Sequence, residues 1–277
     1  MALTRSAKSP TAQQFSKLPA VDVVEFNWVD ITADWLCQHH IVRAFIAPHN
    51  QPNQFAEEST FHLAALKAGL DYIVRISTTA ANVRPNCDAY YPRSHWAIEA
   101  LLSSPEFKGL KWTSLQPNVF ATFWLWNAAE LIKNYQKTGQ QSTLRVMASR
   151  DAPVGVIHPD DVGDFAAHLL VTEDVSPHNG LKYNLNGPED ITGNQIVEMI
   201  EKYIGVPVKD VSFKDITFVD DMASNSGESK SVISTIKYAL VTAWEGKCTA
   251  STTSPGVTKI AAPKRTPKDV MKALLEA

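Results

Sequence analysis

The sequence predicts an α/β fold with a mainly parallel sheet and a smaller carboxyl-terminal lobe. Three observations point there. Short Val/Ile-rich runs alternate with helical patterns up to about residue 150, prolines and glycines punctuate those runs, and the rhythm changes after Arg150.

Taken in order, Val21–Phe26 is a valine-rich strand that leads through Asn27-Trp28-Val29-Asp30 into a turn. Ile41–Ala47 is a second buried strand, stopped by Pro48. Gln54–Ala68 carries Phe55, Phe61, Ala64, Ala65 and Ala68 at helical spacing and ends at Gly69, a helix-stop signal. Tyr72–Ser77 is strand-like, Ser94–Leu102 helical, and Trp112–Gln116 a strand ended by Pro117. Strands alternating with helices imply βαβ units, which place ligands outside the carboxyl ends of the strands.

Beyond Arg150, Val156–Val162 leads into an Ala/Leu-rich helix through Leu170. Lys182–Asn186 is a short strand, and Thr192 caps a helix through Ile204 whose apolar face is Ile196, Val197, Ile200 and Ile204. Ser224–Ser231 and Thr249–Pro255, rich in Ser, Thr and Gly, are expected as mobile loops, and Pro267–Leu275 as a last helix. The expected division is residues 1–150 as core and 151–277 as the smaller lobe, with the strand near 182–186 returning to the sheet.

Composition narrows the function. The chain has 277 residues, 44% of them hydrophobic and 20% charged, which suits a globular core. A net charge of -3 gives no electrostatic reason to expect nucleic-acid binding. Cys37, Cys87 and Cys248 form no metal or disulfide pattern, so a reducing compartment is expected. Arg5 and Lys8 are followed by no apolar signal region, and no stretch is long enough to span a bilayer. The expectation is a soluble cytoplasmic protein without a membrane partner. His158 with Asp160 and Asp161 reads as a helix start, not a metal site.

One motif is missing. A dinucleotide fold normally opens with a strand, a G-x-G-x-x-G turn and a helix, yet no such glycine cluster occurs anywhere in this chain. From Met-Ala-Leu-Thr-Arg-Ser onward it reads like such a fold joined just past that loop.

The segments ALTRSAKSP (2–10), NQFAEESTFHLAALKAGLDYIVRIST (53–78), YYPRSHWAIEALL (90–102), LQPNVF (115–120), VIHPDDVGDFAAHLL (156–170) and YNLNGPEDITGNQIVEMI (183–200) together resemble the NmrA-like family. That family consists of atypical short-chain dehydrogenase/reductases. The resemblance implies a Rossmann-like NAD(P)-binding fold in which ALTRS ends the second strand. About thirty residues bearing the first strand, glycine loop and helix would then be absent upstream. A start codon called too late, a truncated relic and a protein that has abandoned dinucleotides are the three explanations. The strands ending near Thr4 and Ala47 would lose ladder partners unless they close on each other.

The resemblance also assigns candidate residues. Arg5 would meet the adenosine 2′-phosphate, favouring NADP, and Asp30 would contact the adenine amino group. By residue type alone these are equally a solvated arginine and a turn aspartate. Pro48 would form a wall beside the cofactor ring, with Pro117 and Asn118 bordering the nicotinamide. Ser77 and Thr78 end a strand where an orienting hydroxyl is expected. Tyr91 would deliver a proton to a carbonyl oxygen, Tyr90 being its one-residue alternative, and His95 stands in the family's lysine position as ribose contact or relay. The competing reading of Tyr91–His95 is simply a helix N-terminus with packed aromatics. Phe123-Trp124-Leu125-Trp126 suggests an apolar pocket floor or plain core.

The expected function is NADP-dependent oxidation or reduction of a small apolar molecule, plausibly in specialised metabolite biosynthesis. The alternatives are a non-catalytic redox-sensing regulator that binds a protein partner, a cofactor-free isomerase or cyclase, and an inactive relic.

Overall fold

A computed structural model describes residues 1–277 as eight strands and twelve α-helices joined by short 3-10 turns. The order is β1 (Ala2–Thr4), α1 (Pro10–Phe15), β2 (Val23–Glu25), α2 (Ala33–Gln38), β3 (Arg43–Ile46), α3 (Gln54–Ala68), β4 (Tyr72–Ile76), α4 (Tyr90–Leu102), β5 (Lys111–Pro117) and α5 (Ala121–Thr138). Then follow β6 (Leu144–Val146), α6 (Pro159–Val171), β7 (Lys182–Leu185), α7 (Gly193–Ile204), β8 (Val211–Phe213), α8 (Thr217–Asn225), α9 (Lys230–Ile233), α10 (Val241–Trp244), α11 (Pro255–Ala261) and α12 (Pro267–Glu276). The fold is Rossmann-like α/β, and every strand pairing is parallel.

The main sheet runs β3-β4-β5-β7, while β1-β2 and β6-β8 form separate pairs. Tyr72, Ile73 and Val74 of β4 are wholly buried, as a strand covered on both faces requires. Helix α3 stops at Gly69, whose φ of 71° places it in the left-handed region open to glycine. Thr192 caps α7 through a reciprocal capping box with Gln195.

β1 pairs only with β2, and β3 only with β4, so β1 and β3 have not closed on each other. Leu3 and Phe45 are exposed on these unjoined edges. A groove at the strand ends persists all the same.

The largest apolar cluster crosses residue 150, joining Trp124, Leu125 and Ile132 of α5 to Ile196 and Ile200 of α7 and Val270 of α12. β7 lies on the outer edge of β5, with Leu115 opposite Tyr183. The two segments expected as loops are irregular only in part: residues 226–229 are a loop, but helices close on it from both sides and a 3-10 turn occupies the middle of the second. α8 reaches Asn225, α9 starts at Lys230, and Ala250–Thr252 forms a 3-10 turn. Burial of Val219, Ala223 and Ile233 supplies the apolar anchor that local composition hides.

Close approach decides one glycine. A Cβ on Gly187 would collide with the Val156 carbonyl oxygen, a backbone atom that cannot swing aside. Gly187→Ala is therefore expected to cost about 2–4 kcal/mol or to abolish soluble expression. Urea unfolding checks this, and a loss within about 0.5 kcal/mol would contradict the packing described.

Candidate active site

Parallel strands finish on the same side of a sheet, so the residues that follow β3, β4 and β5 converge. They enclose a cavity of ≈360 Å³ lined by Ala47 and Pro48 after β3, Ser77–Thr79 after β4, and Pro117–Phe120 at the end of β5. Asn50, Ile76, Tyr91 of α4, Phe123 and Trp124 of α5, Phe218 of α8, and Ile236, Ala239, Leu240, Thr242, Ala243 and Cys248 complete the lining. Pro48, Ser77, Thr78, Tyr91, Pro117 and Asn118, six residues from four separated places in the chain, thus come together. Of the aromatic run in α5, Phe123 and Trp124 face the cavity, Leu125 is core and Trp126 is exposed.

Tyr91 is half-buried in this wall. Burial pushes its phenol up to about 12; the Thr78 hydroxyl pulls the other way, while Cys87, Tyr90 and Cys248 add to the rise. Tyr91 therefore keeps its proton at neutral pH, which leaves its hydroxyl able to donate a hydrogen bond. Tyr90 is excluded as its substitute, because its hydroxyl donates to the Asn50 carbonyl.

Two buried polar atoms of lining residues lack partners, Ser77 Oγ and Trp124 Nε1. Unpaired buried groups are rare and costly, so their presence at a cavity wall suits a site that receives a polar ligand.

Two assignments need correction, those of Asn118 and His95. Asn118 lines the cavity, but its carboxamide is committed to protein. Its Nδ2 faces the carbonyls of Gly155 (3.1 Å) and Cys248 (2.9 Å) and Asn186 Oδ1 (3.0 Å), and its Oδ1 accepts from Val119 N (2.8 Å). It clasps β5 to three crossing loops and has no amide hydrogen left for a nicotinamide. His95 is 1% exposed, does not line the cavity, and lies beneath it, so it is neither ribose contact nor relay to Tyr91. Asp30 accepts from Asn27 Nδ2 at 3.0 Å within its own 3-10 turn, which leaves one carboxylate oxygen uncommitted. Neither Asp30 nor Arg5 lines the cavity; Arg5 is exposed just past β1, with no acidic or hydrogen-bonding partner. His49 bonds Glu57 at 2.6 Å and accepts from Gln51 N, stapling the loop after β3.

Below the cavity lies a charged cluster that no local sequence signal announces. Arg75, fully buried on β4, donates through Nε to Glu58 Oε1 (2.6 Å) and through Nη2 to Glu58 Oε2 (3.2 Å). Its Nη1 donates to Ser114 Oγ (3.0 Å), and its Nη2 also meets His95 Nδ1 (2.8 Å). Glu99 receives Ser114 Oγ and Gln116 Nε2 and pairs with Lys182 Nζ at 3.1 Å. Burial would raise the Glu58 pKa, but Arg75 and His62 outweigh it and hold the carboxylate well below its usual range. Burial pushes His95 down to about 3, and the Arg75 charge adds to that shift. Burial likewise lowers His62.

His158 caps α6 by accepting from Asp160 N, and Asp161 pairs with Arg265 at 2.6 Å, so these groups tie down the carboxyl-terminal segment. No group of three or more His, Cys, Asp or Glu side chains is placed to hold a metal ion. No helix is long and apolar enough to cross a membrane.

Comparison with known proteins agrees with this architecture. No family model matches the chain. A (4-alkanoyl-5-oxo-2,5-dihydrofuran-3-yl)methyl phosphate reductase from Streptomyces griseus is 24% identical over 160 residues, 58% of this chain, and the chain spans about half (51%) of that relative's length. An NADPH-dependent quinone oxidoreductase from Escherichia coli, crystallised with NADPH, superposes with a TM-score of 0.71 at 18% identity, covering 99% of this chain and 89% of that one. Triphenylmethane reductase from Citrobacter sp., complexed with NADP(H), gives 0.68 at 18% identity over 99% and 90%. NmrA, a negative transcriptional regulator, gives 0.67 at 14% identity over 100% and 86%. The chain thus has the Rossmann-like fold of NAD(P)-dependent reductases and of NmrA.

Proposed function

We propose that the protein is a reductase of the NmrA-like type that uses NADPH to reduce a small, largely apolar carbonyl compound. The observation that carries this reading is the apolar cavity at the strand ends, walled by thirteen hydrophobic residues of twenty-one, into whose lining Tyr91, Thr78 and the unpartnered Ser77 converge. Similarity to a furanone phosphate reductase and to NADPH-bound reductases supports the same direction.

The residues present suit the two ends of a dinucleotide. Ser77 Oγ, buried and unpaired, suits a polar group of the nicotinamide end between Pro48 and Pro117. Arg5, uncommitted and exposed, suits the 2′-phosphate, and Asp30 has one oxygen left for an adenine amino group. For the diphosphate, the chain contains no G-x-G-x-x-G turn. When bound, NADPH supplies a hydride. Tyr91 supplies the protonated hydroxyl that holds the acceptor oxygen, Thr78 orients it, and the apolar walls exclude water. Specialised metabolite biosynthesis is the setting proposed for such a substrate.

The second reading, a regulator that senses dinucleotide and binds a protein partner, is favoured by one observation. Tyr91 has no cation beside it to lower its pKa. Tyr91→Phe separates the two readings. We expect NADPH-dependent reduction of quinones or enones to fall about 10²-fold or more, with NADPH affinity within twofold of the parent protein. Turnover that survives the substitution would remove Tyr91 from the chemistry; a parent protein that binds NADPH but reduces nothing would favour the regulator.

A further inference from the structure

Asn50 follows β3 and lines two adjoining hollows, the ≈360 Å³ cavity and a neighbouring one of ≈390 Å³. The two share Asn50, Tyr91, Phe123, Phe218 and Ile236. Asn50 is exposed, yet it is fixed at two points. The Tyr90 hydroxyl donates to its backbone carbonyl, and His95 Nε2 lies 3.0 Å from its side-chain Oδ1.

The direction of that second bond follows from the cluster beneath. His95 Nδ1 faces Arg75 Nη2 at 2.8 Å and Gln54 Nε2 at 3.1 Å. A guanidinium only donates, so Nδ1 must be the bare acceptor nitrogen. Gln54 agrees, because its amide nitrogen also faces Glu58 Oε2 at 3.0 Å, where an amide oxygen would be repelled. The ring hydrogen therefore sits on Nε2 and points at Asn50. Only the Asn50 oxygen can receive it, which turns the Asn50 amide hydrogens outward, with no protein acceptor within reach.

We propose that the Asn50 amide and the Tyr91 hydroxyl form a two-donor seat for a carbonyl oxygen of a planar, apolar substrate bound across the two hollows, and that His95 is the positioning residue that aims Asn50. This rests on the reductase reading for the identity of the ligand as substrate. Against apolar walls, two aimed donors bind and polarise a carbonyl without a nearby cation.

The probe is 2-methyl-1,4-naphthoquinone, its Kd measured by calorimetry with and without NADPH, alongside KM and kcat and a separate NADPH titration. Asn50→Asp keeps the size but faces the quinone with an acceptor, and it is expected to raise Kd and KM at least about tenfold with NADPH affinity unchanged. His95→Leu should have the same effect and add nothing to Asn50→Asp in the double variant, whereas His95→Gln, which retains a donor near the Nε2 position, should keep most of the affinity. Quinone affinity in Asn50→Asp within twofold of the parent, or no quinone binding by the parent at all, overturns the proposal. A tenfold loss of NADPH affinity with unchanged quinone binding also overturns it and assigns Asn50 to the cofactor's carboxamide. Quinone that binds in an Asn50-dependent way without turnover upholds the seat while the reductase reading fails.

Discussion

Arg75→Met is expected to cost about 3–5 kcal/mol, the loss typical of breaking a buried ion pair from one side. Arg75 and Glu58 are both wholly buried, and Arg75 supplies two of the hydrogen bonds that keep the carboxylate ionised there. Its removal leaves Glu58 with His62 and Gln54 only, strips Ser114 Oγ of a donor and leaves His95 Nδ1 with Gln54 alone. Against a typical total of about 5–15 kcal/mol, such a loss threatens folding itself. The informative companion is Glu58→Leu/Arg75→Met, which removes both charges and is expected to recover a large part of the loss. Urea unfolding of both variants reads this out. A single variant within about 1 kcal/mol of the parent would mean that the cluster is not dry.

Mild acid is expected to destabilise the protein well before carboxylates protonate. His95 is held neutral, its pKa pushed down to about 3 by burial and by Arg75, while its unfolded counterpart titrates near 6.5. Between those values the unfolded chain binds the extra proton, so stability is fully present above about pH 6.5 and falls as pH drops toward 3. At pH 5 the His95 contribution alone is about 2 kcal/mol, and His62, lowered by burial, adds in the same direction. Glu58 does not interfere in this window. Its depressed pKa gives a contribution present above about pH 4.3 and lost only as pH falls further through the folded value. Denaturant midpoints between pH 7.5 and 5 should therefore slope in the parent protein and slope less in His95→Gln. Identical slopes would show that His95 takes up a proton in the folded state.

The sheet was legible in the sequence wherever a short apolar run meets a proline or glycine, as at Pro48, Gly69 and Pro117. The cavity was legible for the same reason. In a parallel sheet the residues after each strand must converge, so Pro48, Ser77, Thr78, Pro117 and Asn118 could be named before their contacts were known. What each does there was less readable. Asn118 looked like a ligand contact because nothing local shows that Gly155, Asn186 and Cys248 approach it from far along the chain. His95 looked like part of a Tyr-x-x-x-His pair because its true partners, Arg75, Gln54 and Asn50, are twenty to forty-five residues away. Arg75 itself sits in Tyr-Ile-Val-Arg-Ile, where strand alternation alone does not reveal that both faces are covered. Asn50 carries no signal in a polar loop, and its importance emerges only from the tautomer that Arg75 imposes. The end of the helix at Thr217–Asn225 and the start of that at Lys230–Ile233 were masked by Ser-rich composition over 224–231 that tertiary burial overrides.

A dinucleotide-competent, apolar site at the strand ends is tested most directly by a thermal-shift titration with NADPH and NADH. Saturating NADPH, at about a hundredfold over its Kd, should stabilise the protein by about 2.7 kcal/mol. NADH should be weaker, and Arg5→Ala should erase the difference between the two. No shift with either dinucleotide at millimolar concentration would contradict the reductase assignment.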